Sequence, residues 1–504
     1  MACAFLLLLC DSWPVAYGRM MVERLHTYDV LRMEVRAEGG SGGLSVDCLL
    51  TVRIERPGPV RLLLSGRVED LAATRGDAAV PCTFGAGGCE AVARRLAPEG
   101  ADIPFLLALA PDPPLAAGDE ATFRLRYLWK PAGWSYAGRD RVQTHLNPFW
   151  LPAMADERFD AVVTVPAAGQ ALGPGRRTRD GDAWRFESTS PVQVVALVVG
   201  RFEVHGRGAI ELLVPPGADV EAAEILADAE RVLATLTEWY GPAAPETLRI
   251  AIEPDPRPAA SYCTDAFIVL NRAHLPAALG RSRWLALLAH ECAHLWWGHR
   301  VATPVLGQGG TWLREGLAQY SGIEVAGALL GAETRRDLWR SQVRAYLGRA
   351  DLRRKGPLIF ANEATLRDAT YLDDPLVPYV RGALVFRLME HRRGAEAFRG
   401  DLRRWAGDAP TRFAAWDDFP GDRALMDYYA ATTRLPDVTY AVEGGRLTLR
   451  CADPAWPGGR VPVRVGGRDV LVEVRGGEGS AVMPEGANGA IEIDPERIWL
   501  DPRK

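Results

Sequence analysis

The sequence predicts a multidomain protein that combines β and α+β folds, because the pattern of apolar residues changes twice along its 504 residues. Residues 22–205 show the alternation of β-strands, residues 206–435 show the 3.6-residue periodicity of helices, and residues 436–504 return to short strands. A chain of this length suggests about three domains. The expected order is an N-terminal β-sandwich or saddle, an α+β domain and a small C-terminal β-sandwich, preceded by an uncertain extension at 1–21.

Individual segments support this division. In the N-terminal region, LSVDCLLTVRIER and ATFRLRYLW alternate apolar and polar residues, with Gly and Pro clusters such as GGSGG and APDPP between strands. The middle region opens with VEAAEILADAERVLATLTEWYG, an amphipathic helix pattern that stops at Gly241. The C-terminal region contains RLTLRCA, VPVRVGG, DVLVEVRGG and GAIEIDPERIWLDP, which read as strands joined by glycine turns.

The segment HECAH, residues 290–294, is a complete H-E-x-x-H pattern within the apolar run LALLAHECAHLWW. No Pro or Gly interrupts this run, which predicts a helix. Residues four apart lie on one helix face, so His290 and His294 can reach one metal ion, with Glu291 beside it as a candidate general base. The alternative is a chance match, which a chain of this length would contain roughly one time in a hundred. The sequence therefore predicts a catalytic zinc site.

A catalytic zinc ion needs a third protein ligand and an open coordination position. Glu315 is the best candidate, because Leu313, Leu317 and Tyr320 recur at helical spacing around it and predict a second helix. The alternative role for Glu315 is a solvated helix charge. His299 lies at the wrong spacing and suits a helix end, where the dipole favours a protonated imidazole. Cys292 is expected to pack in the helix rather than bind metal.

Together, HECAHLWWG and WLREGLA resemble the motifs of the gluzincin zinc aminopeptidases, the family of aminopeptidase N and leukotriene hydrolase. The family patterns are H-E-x-x-H-x-W-x-G and W-L-N-E-G-x-A. The resemblance implies a three-domain bacterial member with a thermolysin-like catalytic domain. It also implies one Zn²⁺ per chain held by His290, His294 and Glu315, with Glu291 as the catalytic base.

A third match lies at Tyr379, which opens YVRGA where the family has Y-x-K-G-A. The resemblance implies that Tyr379 donates a hydrogen bond to the oxyanion of the reaction, an interaction worth about 3 kcal/mol or more. Tyr371 is the weaker rival, and a packing role at a helix start is the alternative for Tyr379. The chain places twenty residues between the second His and Glu315, against eighteen in the family. We expect the surplus in the Gly-rich loop at 306–310.

One family motif is missing. Gly-x-Met-Glu-Asn, whose Glu binds the free amino group of the substrate, is replaced by AASYCTDAFIVLN over Ala259–Asn271. This stretch contains no Glu, and Cys263 falls near its place. Asp265 could supply a carboxylate instead, but a solvated loop position is equally consistent with the sequence. The family's N-terminal Gln-rich substrate motif has no clear equivalent either.

These observations predict a zinc metallopeptidase that acts on peptides or small proteins, with aminopeptidase activity as the first expectation. A zinc peptidase that cleaves internal or blocked peptide bonds is the alternative, motivated by the missing amine anchor. A non-catalytic scaffold of the same fold is a third interpretation. The side-chain preference and the oligomeric state stay open.

Composition excludes some other functions. A net charge of −5 provides no basic surface for nucleic acid. The 8 Cys are dispersed, and although Cys82 and Cys89 could pair, no dense disulfide framework is indicated. The N-terminal run MACAFLLLLCDSW is too short to span a bilayer and lacks the positive flank of a secretory signal. Translation from Met20 or Met21 is an alternative. We expect a cytoplasmic protein, with export left open.

Overall fold

The computed structural model describes residues 27–85, 104–131, 135–138, 140–145, 148–152, 157–243, 245–253, 261–303, 310–348, 376–408, 414, 418–430, 435–487 and 489–499. The predicted extension at 1–21, Cys89, Tyr371 and the part of the Gly-rich loop at 306–309 lie outside these residues. The described residues form two compact units. The first draws on the ranges Met1–Ala234, Ala243–Leu279 and Gly298–Gly307, and the second on Thr235–Pro242, Gly280–Trp297 and Gln308–Lys504.

The first unit is built mainly from β-strands, as predicted for the N-terminal region. In chain order the strands are β1 (Tyr28–Gly40), β2 (Gly43–Ile54), β3 (Val60–Ser65), β4 (Val68–Arg75), β5 (Ala78–Ala79), β6 (Cys82–Gly85), β7 (Pro104–Leu109), β8 (Glu120–Trp129), β9 (Tyr136–Ala137), β10 (Val142–Gln143), β11 (Asp160–Pro166), β12 (Gln170–Leu172), β13 (Arg176–Asp180), β14 (Ala183–Glu187), β15 (Val198–Gly200), β16 (Glu203–Arg207), β17 (Ile210–Val214), β18 (Leu248–Ile252), β19 (Tyr262–Cys263) and β20 (Phe267–Leu270). A 3₁₀ turn follows β10 at Pro148–Trp150, and another follows β20 at Arg272–His274.

The largest sheet has the strand order β13-β14-β11-β1-β2-β8-β4-β5. Its central strands β2 and β8 alternate buried and exposed residues, which confirms the strand periodicity read from their sequences. Most neighbours run antiparallel, but β1 and β11 are parallel. Two smaller sheets, β3-β7-β6 and β12-β15-β10-β9, complete this β-rich region. Its apolar core includes Leu50, Phe123, Leu125 and Trp129, all fully buried.

A second sheet of the first unit has the order β16-β17-β18-β20-β19. Its inner strands β17, β18 and β20 are parallel, whereas the outer strands β16 and β19 are antiparallel to their neighbours. Helix α1 (Ala222–Tyr240) lies between β17 and β18 in the chain and corresponds to the predicted amphipathic helix. The helix ends before Gly241, whose φ of 82° requires the left-handed conformation that glycine adopts readily.

The second unit contains the helices that follow and the C-terminal strands. The helices are α2 (Arg281–Ala293), α3 (Gly310–Leu330), α4 (Ala332–Leu347), α5 (Gly382–Arg393) and α6 (Ala395–Gly407), with short helical turns at Pro276–Leu279 in the first unit and Arg423–Leu425 in the second. Two π-helical segments, Leu376–Arg381 and Met426–Ala430, adjoin them. In the part of the chain that is described, no helix combines the length and the apolar character that crossing a bilayer requires.

The C-terminal strands are β21 (Val438–Glu443), β22 (Arg446–Cys451), β23 (Gly459–Val465), β24 (Arg468–Val474), β25 (Glu478–Val482) and β26 (Ile491–Ile493). They form two three-stranded sheets, β21-β22-β25 and β24-β23-β26, in agreement with the predicted small β domain. This domain is joined to α5, because Arg387 donates to the backbone carbonyl of Glu496 at 3.2 Å and to its carboxylate at 3.1 Å. The segment that follows β26 is therefore attached to α5, a helix of the same unit.

Candidate metal centre

Helix α2 presents the two histidines of the H-E-x-x-H pattern. Trp284, Leu285 and Leu288 are fully buried, so apolar packing fixes the helix. His294 is the residue at which the helix ends. The spacing of four residues places His290 and His294 on one face, and their ring centroids lie 4.8 Å apart.

Helix α3 carries Glu315 and packs directly against α2. Gly322 permits the close approach of the two helices. A β-carbon at this position would lie 2.4 Å from the carbonyl oxygen of Ala286 and 3.2 Å from the β-carbon of His290. Because only hydrogen fits there, α3 comes close enough to bring Glu315 beside the histidines.

The three predicted ligand atoms converge. The Nε2 atoms of His290 and His294 are 3.1 Å apart, and they lie 3.6 and 3.4 Å from Oε2 of Glu315. All three residues are buried. Across the described ranges, this is the one group of three or more His, Cys, Asp or Glu side chains arranged to hold a metal ion.

This arrangement fits zinc. Tetrahedral coordination with bonds of about 2.0–2.2 Å places ligand atoms about 3.3–3.6 Å apart. The observed separations of 3.1, 3.4 and 3.6 Å lie close to that range. Two imidazoles and one carboxylate are also the donor set of catalytic zinc sites, which keep a further position open. Two facing imidazole nitrogens would repel each other through their lone pairs unless a proton or a cation lay between them.

Contacts behind the ligand atoms orient two of the three side chains. Nδ1 of His294 lies 3.0 Å from the carbonyl oxygen of Trp297, which favours a proton on Nδ1 and leaves Nε2 for the metal. Nε of Arg314 donates to Oε1 of Glu315 at 3.0 Å, which leaves Oε2 for the metal. Nδ1 of His290, in contrast, is buried and has no hydrogen-bond partner among the described residues.

The two acidic side chains of the site differ in their electrostatics. Burial opposes ionisation of Glu315, but the charge of His294 and hydrogen bonds from both histidines outweigh it and hold the pKa of Glu315 well below its usual value. Burial raises the pKa of Glu291 to about 8, with His294 lowering it and Glu315 raising it. Glu315 is thus held as a carboxylate, as a metal ligand must be.

Tyr379 lies next to the ligand cluster. It belongs to the π-helical segment Leu376–Arg381, immediately before α5. Its ring stacks on the imidazole of His290, with centroids 5.8 Å apart and an interplanar angle of 15°. A β-carbon at Gly316 of α3 would lie 3.0 Å from Cα of Gly382, so two glycines allow α3 and α5 to approach closely. The structure therefore brings Tyr379 together with the predicted ligands.

Two other residues near the motif do not join the cluster. Nε2 of His299 lies 3.2 Å from the carbonyl oxygen of Cys263, within the first compact unit. Cys292 is fully buried, and burial, followed by the charge of Glu291, raises the pKa of its thiol. Neither residue belongs to the described group of converging His and Glu side chains.

The described part of Ala259–Asn271 forms β19, a turn and β20. The side chain of Cys263 is buried, and its Sγ donates to the carbonyl oxygen of Thr264 at 3.0 Å. Asp265 is half-buried rather than solvated. Burial raises the pKa of Asp265 to about 7, against hydrogen bonds from the backbone N–H groups of Asp265 and Gly175. Cys263, which falls near the place of the missing Glu, and Asp265, the candidate carboxylate, therefore both have hydrogen-bond partners within the first unit.

The first unit also contains a buried polar cluster that the sequence analysis missed. Nε2 of Gln143 donates to Oε2 of Glu253 at 2.6 Å and lies 3.5 Å from the hydroxyl of Tyr262. The ring of His145 packs against Tyr262 with centroids 4.3 Å apart. Gln143 and Glu253 are 110 residues apart in the chain, so local pattern could not pair them. The available signal was Glu253, a charged residue directly after the apolar strand β18.

Comparison with known proteins agrees with this geometry. Residues 262–419 match the family model described as the peptidase family M1 domain. An M1 zinc metallopeptidase from Deinococcus radiodurans is similar in structure, with a TM-score of 0.57, 21% identity, and coverage of 80% of this chain and 91% of that one. A mutant of that enzyme bound to a Tyr-Ser-Ala substrate gives a TM-score of 0.59, 20% identity, and coverage of 82% and 96%.

Yeast LTA4 hydrolase in complex with bestatin gives a TM-score of 0.65 at 15% identity, covering 82% of this chain and 69% of that chain. No curated protein matches the sequence. At these identities the solved structures establish the fold, while the family match covers the segment that contains His290, Glu315 and Tyr379. The chain therefore carries a domain of peptidase family M1 within the multidomain fold of the M1 zinc metallopeptidases, which confirms the family resemblance of its sequence motifs.

Proposed function

We propose that this protein is a zinc-dependent peptidase that binds one Zn²⁺ through His290, His294 and Glu315. The observation that carries the proposal is the convergence of their three ligand atoms at separations of 3.1, 3.4 and 3.6 Å in a buried site. When bound, zinc supplies a Lewis acid and lowers the pKa of water from about 15.7 towards about 7. The remaining steps fall to side chains around the ligands.

Glu291 is the proposed general base. It adjoins His290 on α2 and is 2% exposed, so its carboxyl group acts in a site from which bulk water is largely excluded. A positive charge beside Glu291 favours its ionised form, and this carboxylate takes a proton from the attacking water and passes it to the leaving amine. Tyr379, stacked on His290, is the proposed hydrogen-bond donor to the oxyanion that develops at the attacked carbonyl.

The proposed substrates are peptides or small proteins, and the proposed reaction is removal of N-terminal residues. Two lines support it: the M1 family match and the shared fold with an enzyme solved with a Tyr-Ser-Ala substrate.

Cleavage of internal or blocked peptide bonds is the second candidate. Cys263 stands in the stretch where the resemblance calls for an acidic amine anchor, and its thiol is occupied by Thr264. The carboxyl of Asp265 is likewise held by backbone N–H groups. Without a carboxylate to neutralise it, a substrate ammonium group would pay a desolvation cost on binding. A blocked N-terminus would avoid that cost.

A matched pair of peptides separates the two candidates. The same mixed sequences are offered with free and with N-acetylated termini, and products are read by mass spectrometry at fixed zinc concentration. An aminopeptidase shortens the free peptides one residue at a time and leaves the acetylated ones intact. Internal products from the acetylated peptides would replace the aminopeptidase proposal with the second candidate. Zinc binding without any product would favour a scaffold role.

A further inference from the structure

The outer contacts of the metal centre are incomplete at one ligand. Nδ1 of His294 and Oε1 of Glu315 each have a polar partner, at 3.0 Å in both cases. Nδ1 of His290 has none among the described residues, although His290 is only 5% exposed. A histidine that binds metal through Nε2 ordinarily donates its other ring N–H to a carboxylate, a carbonyl or a water molecule. A polar side chain on an element packed around His290 can supply this partner.

Helix α3 offers one polar side chain for this purpose. Gly322 packs beneath His290 but has no side chain to offer. Gln319 precedes it by three residues and follows Glu315 by four, so it lies on the face of α3 that carries the ligand. Gln319 is half-buried. The ring of Tyr379 stacks on the face of the imidazole, away from the ring plane in which an Nδ1–H donates.

A β-carbon at Gly322 would lie 3.2 Å from both the backbone nitrogen and the β-carbon of His290, so this face of α3 lies directly against His290. Rotation about the terminal bonds of the Gln319 side chain can turn its amide oxygen towards Nδ1, because these torsions have broad minima.

We propose that Gln319 is a positioning residue for the metal centre: its amide oxygen accepts the Nδ1–H of His290. This bond holds the imidazole in the tautomer whose Nε2 lone pair points towards Glu315 and His294. The inference rests on the proposed ligand set of His290, His294 and Glu315. It assigns a role to a residue that the family motifs of this chain do not include.

The side chain of Gln319 is a neutral amide rather than a carboxylate, and this difference affects metal binding. A carboxylate behind a ligating histidine raises its basicity and strengthens metal binding. Glutamine supplies an acceptor without a second negative charge near Glu315, so the ligand shell keeps a less negative total charge. Gln319→Glu should therefore bind zinc more tightly than the natural protein, and Gln319→Leu should bind it more weakly.

The test measures zinc dissociation constants by competition with a chromophoric chelator on the full chain. Gln319→Leu should weaken binding about 10–100-fold, the usual effect of losing an outer partner. Gln342→Leu is the matched control, because Gln342 is half-buried on α4 and should leave zinc binding unchanged. Thermal unfolding of the metal-free proteins checks that the variants fold alike. Nitrogen NMR of labelled histidines should show a hydrogen-bonded Nδ1–H at His290 that Gln319→Leu abolishes.

Tight zinc binding by the natural protein together with unchanged affinities in Gln319→Leu and Gln319→Glu would overturn the inference. If Gln319→Leu does not fold, the zinc affinity of Gln319→Glu is the deciding measurement, because this substitution preserves the size and polarity of the side chain. An affinity equal to that of the natural protein would then count against the proposed bond. Failure of the natural protein to bind zinc at all would instead overturn the proposed function.

Discussion

The ring of Tyr379 lies parallel to the imidazole of His290, with an interplanar angle of 15° and centroids 5.8 Å apart. This contact ties the candidate oxyanion donor to a candidate metal ligand. Tyr379 belongs to a π-helical segment, a rare conformation that occurs often at functional sites. The turns of this π-helical segment are wider than those of α5, the α-helix that follows it. The phenol is thereby held beside the metal centre by both backbone and ring packing.

Tyr379→Phe should lower kcat about 10²–10³-fold and leave KM nearly unchanged, because the hydroxyl is proposed to act on the oxyanion alone. The phenyl ring keeps the stacking on His290, so zinc content should not change. Steady-state kinetics on one peptide substrate provide the measurement. Tyr428→Phe is the control, since it removes a phenol that bonds Asp453 at 3.0 Å in the C-terminal part of the chain. Full kcat in Tyr379→Phe would exclude the proposed role.

Gly322→Ala should disturb the metal centre without touching a ligand. The added methyl group would meet the carbonyl oxygen of Ala286 at 2.4 Å and must push α3 away from α2. We expect a loss of about 1–3 kcal/mol in the free energy of unfolding, the usual cost of overpacking, and weaker zinc binding as Glu315 moves. Urea unfolding and chelator competition measure the two effects.

Gly400→Ala provides the control for that substitution. Gly400 lies in α6, where an added β-carbon would meet nothing closer than the flexible end of Arg404 at 3.6 Å. Alanine should stabilise the helix there by roughly 0.5–1 kcal/mol. If Gly322→Ala behaved like Gly400→Ala, close packing of α2 and α3 could not be what positions Glu315.

Arg387→Met should weaken the attachment of the C-terminal β domain to α5. Arg387 is 4% exposed, lies 5.0 Å from the ring centroid of Trp339 and bonds the carboxylate and backbone carbonyl of Glu496. Its loss leaves these acceptors without their donor, which costs about 1–3 kcal/mol. Since the Glu496 side chain is 37% exposed, solvent screens part of the pair, and Glu496→Gln should cost less. A melting temperature unchanged by Arg387→Met would contradict a structural role for this contact.

Asp265 should make the stability of the protein depend on pH. Its pKa, raised by burial to about 7, exceeds the ordinary value of 3.8. The carboxyl group therefore favours the folded state when protonated, and that contribution is lost as pH rises from about 4 to about 7. The free energy of unfolding is measured with urea at pH 4, 5.5 and 7. Asp265→Asn should reduce its decline with rising pH, whereas the control Asp182→Asn, at an exposed turn, should leave the decline unchanged. Equal slopes in all three proteins would mean that Asp265 is solvated.

The proposed zinc ligands could be recognised in the sequence because the spacing that marks them is local. A spacing of four residues fixes His290 and His294 on one helix face, and helical periodicity around Glu315 identifies the second helix. The alternation in β2 and β8 and the amphipathic pattern of α1 were equally visible. Each of these features depends on contacts within one element.

Other features depend on contacts between elements and were not visible. The sequence does not show that Gly322 lies against Ala286, or that Gly316 lies against Gly382, because both contacts arise from helix packing. The π-helical turn at Tyr379 departs from the 3.6-residue period on which helix prediction rests. Gln319 could not be assigned for a related reason: its partner, Nδ1 of His290, is recognisable only as a buried atom that lacks a hydrogen bond.

The central claim is that this chain hydrolyses peptides with a single bound zinc ion and Glu291 as the base. Zinc content and peptide turnover should therefore be measured together for the natural protein and Glu291→Gln. The account predicts one zinc ion per chain in both proteins and turnover in the natural protein alone, since glutamine preserves the shape of the side chain and cannot accept the proton. Undiminished turnover by Glu291→Gln, or turnover by natural protein stripped of zinc, would contradict it.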